Sequence, residues 1–173
     1  MFSYLALAGA ALLVVIDQLI KVWALNQLAP VYTMQVIPGI LNFTYVENYG
    51  AAFGILQQKT FFLIGLTGIV LIAGIILLVM QKFRHPLMII SLMLLIGGGA
   101  GNLVDRIFRK FVVDFIDITP LFNFPVFNFA DCCVVIGTIL LFIYVIFIDG
   151  KKEKTIANVA QPKKLTEGEL ENK

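Results

Sequence analysis

Histidine is almost missing from this chain: His85 is the only one. It falls in the short basic segment Gln81–Pro86, between two apolar runs and on the face opposite the acidic residues considered below. A Ser-His-Asp triad or a Cys-His pair therefore lacks its base. There is no H-E-x-x-H, and no His/Cys cluster has the spacing of zinc ligands, so no metal is expected. Cysteine is limited to the neighbours Cys132 and Cys133. Adjacent residues do not readily close an ordinary disulfide, and inside an apolar run such thiols behave as small hydrophobes. Charge is also scarce. Only 14% of residues are charged, the net charge is +2, and the cations form no groove-like patch, which argues against nucleic acid as a partner.

Apolar residues fill the space that charge leaves. They make up 60% of the chain, and the mean hydropathy is +0.93. A soluble domain has about 45–50% apolar and about 25% charged residues. The chain is therefore read as an integral membrane protein. Crossing a bilayer takes roughly 20 apolar residues as a helix. Four runs qualify, about Leu5–Leu25, Phe61–Met80, Leu87–Val104 and Asp131–Ile148. The expected architecture is an all-α bundle of four transmembrane helices with a small extracytoplasmic β-sheet and an outer loop or short helix. Residues 1–150 would form one four-span domain, and 151–173 a polar Lys/Glu-rich tail without fixed structure. The first run is too long for a removable signal peptide and lacks its basic start and small-residue cleavage site.

Polar residues inside such runs are informative because they are costly there. Asp17 and Lys21 lie four apart and share a helix face. They read either as a neutralised pair with Lys21 snorkelling to the surface or as a strut facing the bundle interior. Asn102, Asp105 and Arg106 also share a face. They read as an Asp–Arg pair ending a helix, or as a face turned towards the acidic residues with Arg106 as a fixed cation. Gly65, Gly68 and Gly74 in the second run, and Gly97–Gly101 in the third, suit close helix packing.

Two segments connect the runs on the outer side. In Asn26–Lys59, V-Y-T-M-Q-V-I and I-L-N-F-T-Y-V flank Pro38–Gly39 and read as two short strands. The following E-N-Y-G-A-A-F-G is either a plain turn or a place where backbone approaches a ligand at Gly50, with Asn48 able to bond a peptide. The second segment, Ile107–Ala130, carries many phenylalanines that either line a greasy site or rest on lipid. Lys82, Arg84, Lys151, Lys152 and Lys154 place both termini in the cytoplasm by the positive-inside tendency. Arg106, Arg109 and Lys110 cut against that rule, which suggests a local role for at least one of them. Arg109 and Lys110 could instead meet lipid headgroups.

The second segment also carries Asp114 and Asp117, and Asp131 follows it directly. Two carboxylates at close range hold one proton between them, which permits general acid–base hydrolysis of a peptide. Asp131 with Asp114 is the preferred pair, with Asp117 the competitor for the second place. Against this, Asp131 or Asn128 could simply cap the fourth helix, and Asp114 could be a solvated loop residue. Two other classes remain, a proton- or cation-coupled carrier and a non-enzymatic assembly factor. No internal repeat supports the carrier.

Five ordered blocks, D-Q-L-I-K (17–21), N-Y-G-A-A-F (48–53), G-N-L-V-D-R (101–106), V-V-D-F (112–115) and F-N-F-A-D (127–131), resemble the lipoprotein signal peptidase (signal peptidase II) family of bacterial membrane aspartic proteases. The resemblance covers about Asp17–Ile148. It implies that Asp114 and Asp131 are catalytic and that Asn48, Gly50, Asn102, Arg106, Asn128, Asp17 and Lys21 bind substrate or shape the site. It also implies that no cofactor is needed and that the protein lies in the bacterial cytoplasmic membrane with its site near the outer face. The implied partners are prolipoproteins cut before a diacylglyceryl-modified cysteine, membrane lipid, and the inhibitor globomycin. Ala100 stands where the family often has leucine, and the tail is outside the shared pattern.

Overall fold

The computed structural model describes residues 2–51, 55–80 and 85–149. Four helices in it are long and apolar enough to cross a membrane: Phe2–Leu28, Thr60–Val79, Pro86–Phe108 and Phe129–Ile148. The first comprises α1 (Phe2–Trp23) and a π-helical end, Ala24–Leu28; the second and third are α2 and α3; the fourth comprises α4 (Phe129–Ile143) and a π-helical end from Tyr144. Residues up to Leu141 form one compact unit. The described part of the second unit, which begins at Phe142, only completes the last helix. Lys82, Arg84 and the tail 151–173 lie outside the described residues, as do Ala52 and Phe53.

Helix α3 is the centre of the unit because its glycines remove the side chains that would hold neighbours away. A β-carbon added at Gly97 would lie 2.9 Å from Leu13 of α1, and one at Gly99 2.9 Å from Leu71 of α2. At Gly98 it would lie 3.0 Å from Cys133 of α4. In lipid no hydrophobic drive brings helices together, so close packing through small residues supplies the attraction. The same expectation fails for Gly65 and Gly68, which have open space around them. They lie on a helix whose Phe61, Leu66 and Ile69 point outward, an apolar exterior suited to lipid. Gly74 does pack, 3.4 Å from Ile96.

The small sheet has three antiparallel strands in the order β1 (Thr33–Ile37), β2 (Leu41–Asn48) and β3 (Val112–Asp117). The first two strands match the hairpin expected around Pro38–Gly39. The third corrects the reading of Asp114 as a loop residue: V-V-D-F-I-D is rich in β-branched and aromatic residues, and β2 is available to pair with it. Val113 and Phe115 sit on a buried cluster with Ala24 and Leu28 at the end of the first helix. Edge-to-face contacts from Trp23 to Phe43 (5.6 Å) and from Phe43 to Phe115 (5.9 Å) close the cluster. Full burial of each such side chain is worth about 1.5–3 kcal/mol, so this cluster fixes the sheet to the end of α1. After β2, described residues 55–58 form turns and no helix.

Candidate functional site

Strand alternation decides which acidic residue reaches the site. With Val113 and Phe115 turned into the cluster, Asp114 must project from the opposite face of β3. There it lines a cavity of about 720 Å³ with Asp131, Asn48, Asn102 and Arg106. Asp117 lies an odd number of residues from Asp114 and falls on the other face. It accepts hydrogen bonds from the Thr44 hydroxyl (2.6 Å) and the Thr119 hydroxyl (2.5 Å) and amide (2.9 Å). Burial pushes the Asp117 carboxyl up, but these donors outweigh it and hold the group below its usual range. Asp117 is thus a sheet-end residue with its own partners.

Asp131 comes from the first turn of α4. Its Oδ2 accepts from the Asn128 backbone amide (3.1 Å), while Asn128 Oδ1 accepts from the Asp131 amide (3.0 Å). This is a reciprocal capping box with asparagine as the cap. Of the two capping alternatives open from the sequence, Asn128 is the cap, and Asp131 lies inside the first turn as its reciprocal partner. The carboxylate is not exhausted by this, since Asp131 Oδ1 also accepts from Asn102 Nδ2 at 2.8 Å. Asp114 accepts from Asn128 Nδ2 (2.5 Å) and Asn48 Nδ2 (2.9 Å). Asn128 thereby touches both acids. Among the described residues no hydrogen bond joins the carboxyls directly; Asn128 and Asn102 connect them. Burial, and then the charge of Asp131 close by, push the Asp114 carboxyl up to about 7 against the pull of the two asparagine donors.

Arg106 donates from Nη2 to the Gly50 carbonyl (3.0 Å), and the Gly50 amide donates to Asn48 Oδ1 (2.9 Å). The guanidinium thus holds the turn that aims Asn48 at Asp114. The face shared by Asn102, Asp105 and Arg106 is split. Asn102 and Arg106 line the cavity, whereas Asp105 turns to α1 and makes no pair with Arg106.

Asp17 and Lys21 form the interior strut rather than a surface pair. Their side chains are 1% and 0% exposed, and Lys21 Nζ lies 2.9 Å from Asp17 Oδ2 and 3.0 Å from Asp105 Oδ2. Arg109 is ion-paired with Asp105 and donates to Gln18 Oε1 (2.8 Å), so it is part of this cluster and not a headgroup anchor. Sequence reasoning does not single out Gln18, Asp105 and Arg109 as site residues. Their signals are the unusual density of polar groups in otherwise apolar runs and, for Arg109, a cation that cuts against the positive-inside tendency.

The rest of the cavity is apolar. Phe122, Phe124 and Phe127 line it and meet edge to face at 6.2 and 5.7 Å, so these phenylalanines form a greasy site. Phe108, by contrast, is exposed on the helix exterior. His85 caps the start of α3, accepting from the Leu87 amide at 3.2 Å. The cavity lies at the other end of that 23-residue helix, about 30 Å away at 1.5 Å per residue. Among the described residues no group of three or more His, Cys, Asp and Glu could hold a metal ion.

The model of the family described as signal peptidase (SPase) II matches residues 9–147. The lipoprotein signal peptidase of Clostridium acetobutylicum is 42% identical over 142 residues, covering 81% of this chain and 92% of that protein. That of Clostridioides difficile is 41% identical over 140 residues, covering 81% and 93%. A solved bacterial membrane enzyme superposes with a TM-score of 0.76 at 33% identity, covering 93% of this chain and 94% of its own. Sequence, fold and the match along nearly the whole membrane domain agree that this chain belongs to the signal peptidase II family.

Proposed function

We propose that the chain is an aspartic endopeptidase whose catalytic pair is Asp114 and Asp131. The reaction is removal of signal peptides from prolipoproteins, the activity of the family. The observation that carries the assignment is the convergence of two carboxyls, from β3 and α4, on one cavity with a polar end and a greasy end. A pair of this kind holds one proton. The ionised carboxylate removes a proton from water, and the oxygen attacks the scissile carbonyl carbon. The protonated partner donates to the carbonyl oxygen. Collapse of the tetrahedral intermediate breaks the C–N bond, and a proton passes to the leaving amine. Asn48, Asn102, Arg106 and Asn128 hold the pair and the adjoining backbone.

The greasy end suits the acyl chains of a diacylglyceryl-modified cysteine, which places cleavage just before that residue. Globomycin would occupy the same cavity. Lipid surrounds the four spans of a single domain, residues 1–150, in the bacterial cytoplasmic membrane. Both termini are cytoplasmic and the site lies near the outer face. No metal or organic cofactor enters the scheme.

The test is cleavage of a diacylglyceryl-modified prolipoprotein by purified wild type, Asp114→Asn and Asp131→Asn, with and without globomycin. Wild type should cleave in a globomycin-sensitive manner. Each variant should lose roughly 10²–10⁴-fold in rate while eluting and melting as folded protein. A folded Asp114→Asn variant that cleaves normally would remove the dyad.

A further inference from the structure

The buried cluster around Lys21 lies beside the catalytic pair, and its hydrogen bonds have a direction. A lysine ammonium has three donors and no acceptor. Lys21 Nζ meets three acceptors: Asp17 Oδ2 at 2.9 Å, Asp105 Oδ2 at 3.0 Å and Asn102 Oδ1 at 2.8 Å. Its capacity is therefore filled. Because Lys21 can only donate, the Asn102 carbonyl oxygen must face it. The Asn102 amide nitrogen must then face Asp131, 2.8 Å from Oδ1. The second acceptor position of Asn102 Oδ1 takes Asn128 Nδ2 at 3.2 Å. Asn128 is fixed from its other end too, since its Oδ1 must accept from the Asp131 amide. One buried cation thus dictates the orientation of an amide that donates to a catalytic carboxylate.

Charge counting points the same way. Leaving aside the exposed Glu47 at the cavity edge, three cations, Lys21, Arg106 and Arg109, serve four carboxyls, Asp17, Asp105, Asp114 and Asp131. An uncompensated buried charge is expensive, so one carboxyl holds a proton. Asp105 takes both Lys21 and Arg109, and also the Val113 amide at 3.1 Å, and Asp17 takes Lys21 and Gln18 Nε2. Of the four, Asp114 and Asp131 are therefore the carboxyls without a directly bonded cation among the described residues. The charged and titratable groups around Asp131 are Lys21 from α1, Arg106 from α3, Asp114 from β3, and Cys132 on α4 itself. Asp131 receives the lysine's field through one amide and lies in the first turn of α4, where a helix favours negative charge. Asp114 has no cation bonded to either of its asparagine donors through a side-chain oxygen.

Resting on the dyad reading above, we propose that Lys21 is a positioning residue: through Asn102 it makes Asp131 the ionised member of the pair, which takes the proton from water, and leaves Asp114 as the proton carrier. Lys21 touches neither substrate nor the reacting atoms in this scheme. The elevated Asp114 carboxyl agrees with it.

The test compares kcat and KM against pH for wild type and the charge-balanced double variant Asp17→Asn/Lys21→Met, on a diacylglyceryl-modified prolipoprotein. The double variant should lose roughly tenfold or more in kcat at neutral pH with KM within about twofold. The acidic limb of its kcat/KM profile should move up by about one pH unit, a tenfold change in the proton equilibrium. A folded variant with the wild-type profile would reduce Lys21 to a strut and overturn the proposal. A second measurement does not require that variant to fold. The infrared carbonyl band of a protonated carboxyl is followed on acidification in Asp114→Asn and Asp131→Asn. Near neutral pH the band should be absent in Asp114→Asn, appearing only at the lower pH where Asp131 protonates, and should be retained to higher pH in Asp131→Asn than in Asp114→Asn. The reverse pattern would overturn the proposal even with the dyad intact, whereas full cleavage by Asp114→Asn would remove the dyad itself.

Discussion

Asn128 and Asp131 cap one another, and the asparagine that closes this box also donates to Asp114 at 2.5 Å. The start of α4 and the alignment of the two acids are therefore one structural event. A helix end that would ordinarily need only a cap also sets the spacing of the two acids. Because Asn128 is fully buried, any replacement must satisfy the donors and acceptors it leaves behind.

Asn128→Ala should separate these two duties by magnitude. Loss of the cap costs about 0.5–2 kcal/mol, a modest fall in melting temperature. Cleavage should fall by roughly tenfold or more, since Asp114 loses a donor and Asn102, which bonds Asp131, loses one too. Thermal melts in detergent, run beside initial rates of cleavage, check both. A variant that melts lower but cleaves normally would leave Asn128 as a cap alone.

Asp114 should make stability depend on pH. Its carboxyl lies at about 7 in the folded protein against an ordinary value of 3.8. Between those values the folded state binds more protons than the unfolded state, so stability falls as pH rises through the window and levels off above it. The full effect is at most roughly 4 kcal/mol, from about three pKa units at 1.36 kcal/mol each. Melting temperatures from about pH 4 to pH 8 should decline in wild type, with a flatter profile in Asp114→Asn. Equal slopes would place the proton elsewhere.

The glycines of the second and third helices should respond oppositely to alanine. At Gly101 a β-carbon would lie 2.5 Å from Asp17 Oδ2 and 3.4 Å from the Ala130 side chain. Gly101→Ala must displace either the buried ion cluster or α4, a cost of about 1–3 kcal/mol from overpacking together with lost cleavage. Gly68 faces open space, so Gly68→Ala should be neutral or gain up to about 1 kcal/mol from helix propensity. Paired melts and cleavage rates decide the matter, and a harmless Gly101→Ala would show the clash to be relieved elsewhere.

Much of the site is legible in the amino-acid sequence. Val112–Val113 preceding Asp114, and Asn128 three residues before Asp131, are visible as local patterns. Two strands follow from β-branched and aromatic runs around a Pro-Gly turn. The third strand is not evident there, because a six-residue segment beside a helix end gives little periodic signal until its partner strand is known. The partners of Asp105, Arg109 and Gln18 are equally hidden. Asp105 lies beside Arg106 in the chain, yet it bonds to Lys21, Arg109, Gln18 and the Val113 amide.

By itself the sequence determined the solvent this protein lives in, the number of apolar helices, and the small set of acids available for chemistry. Each rests on a one-dimensional quantity: run length, hydropathy and residue type. The tertiary structure alone decided which acids meet, which way each amide points, and which cation belongs to which carboxylate. Those relationships join residues as far apart as Lys21, Asn102 and Asp131. They depend on helix rotation, strand face and the direction of each donor, which become definite only when α1, α3, α4 and the sheet are packed together.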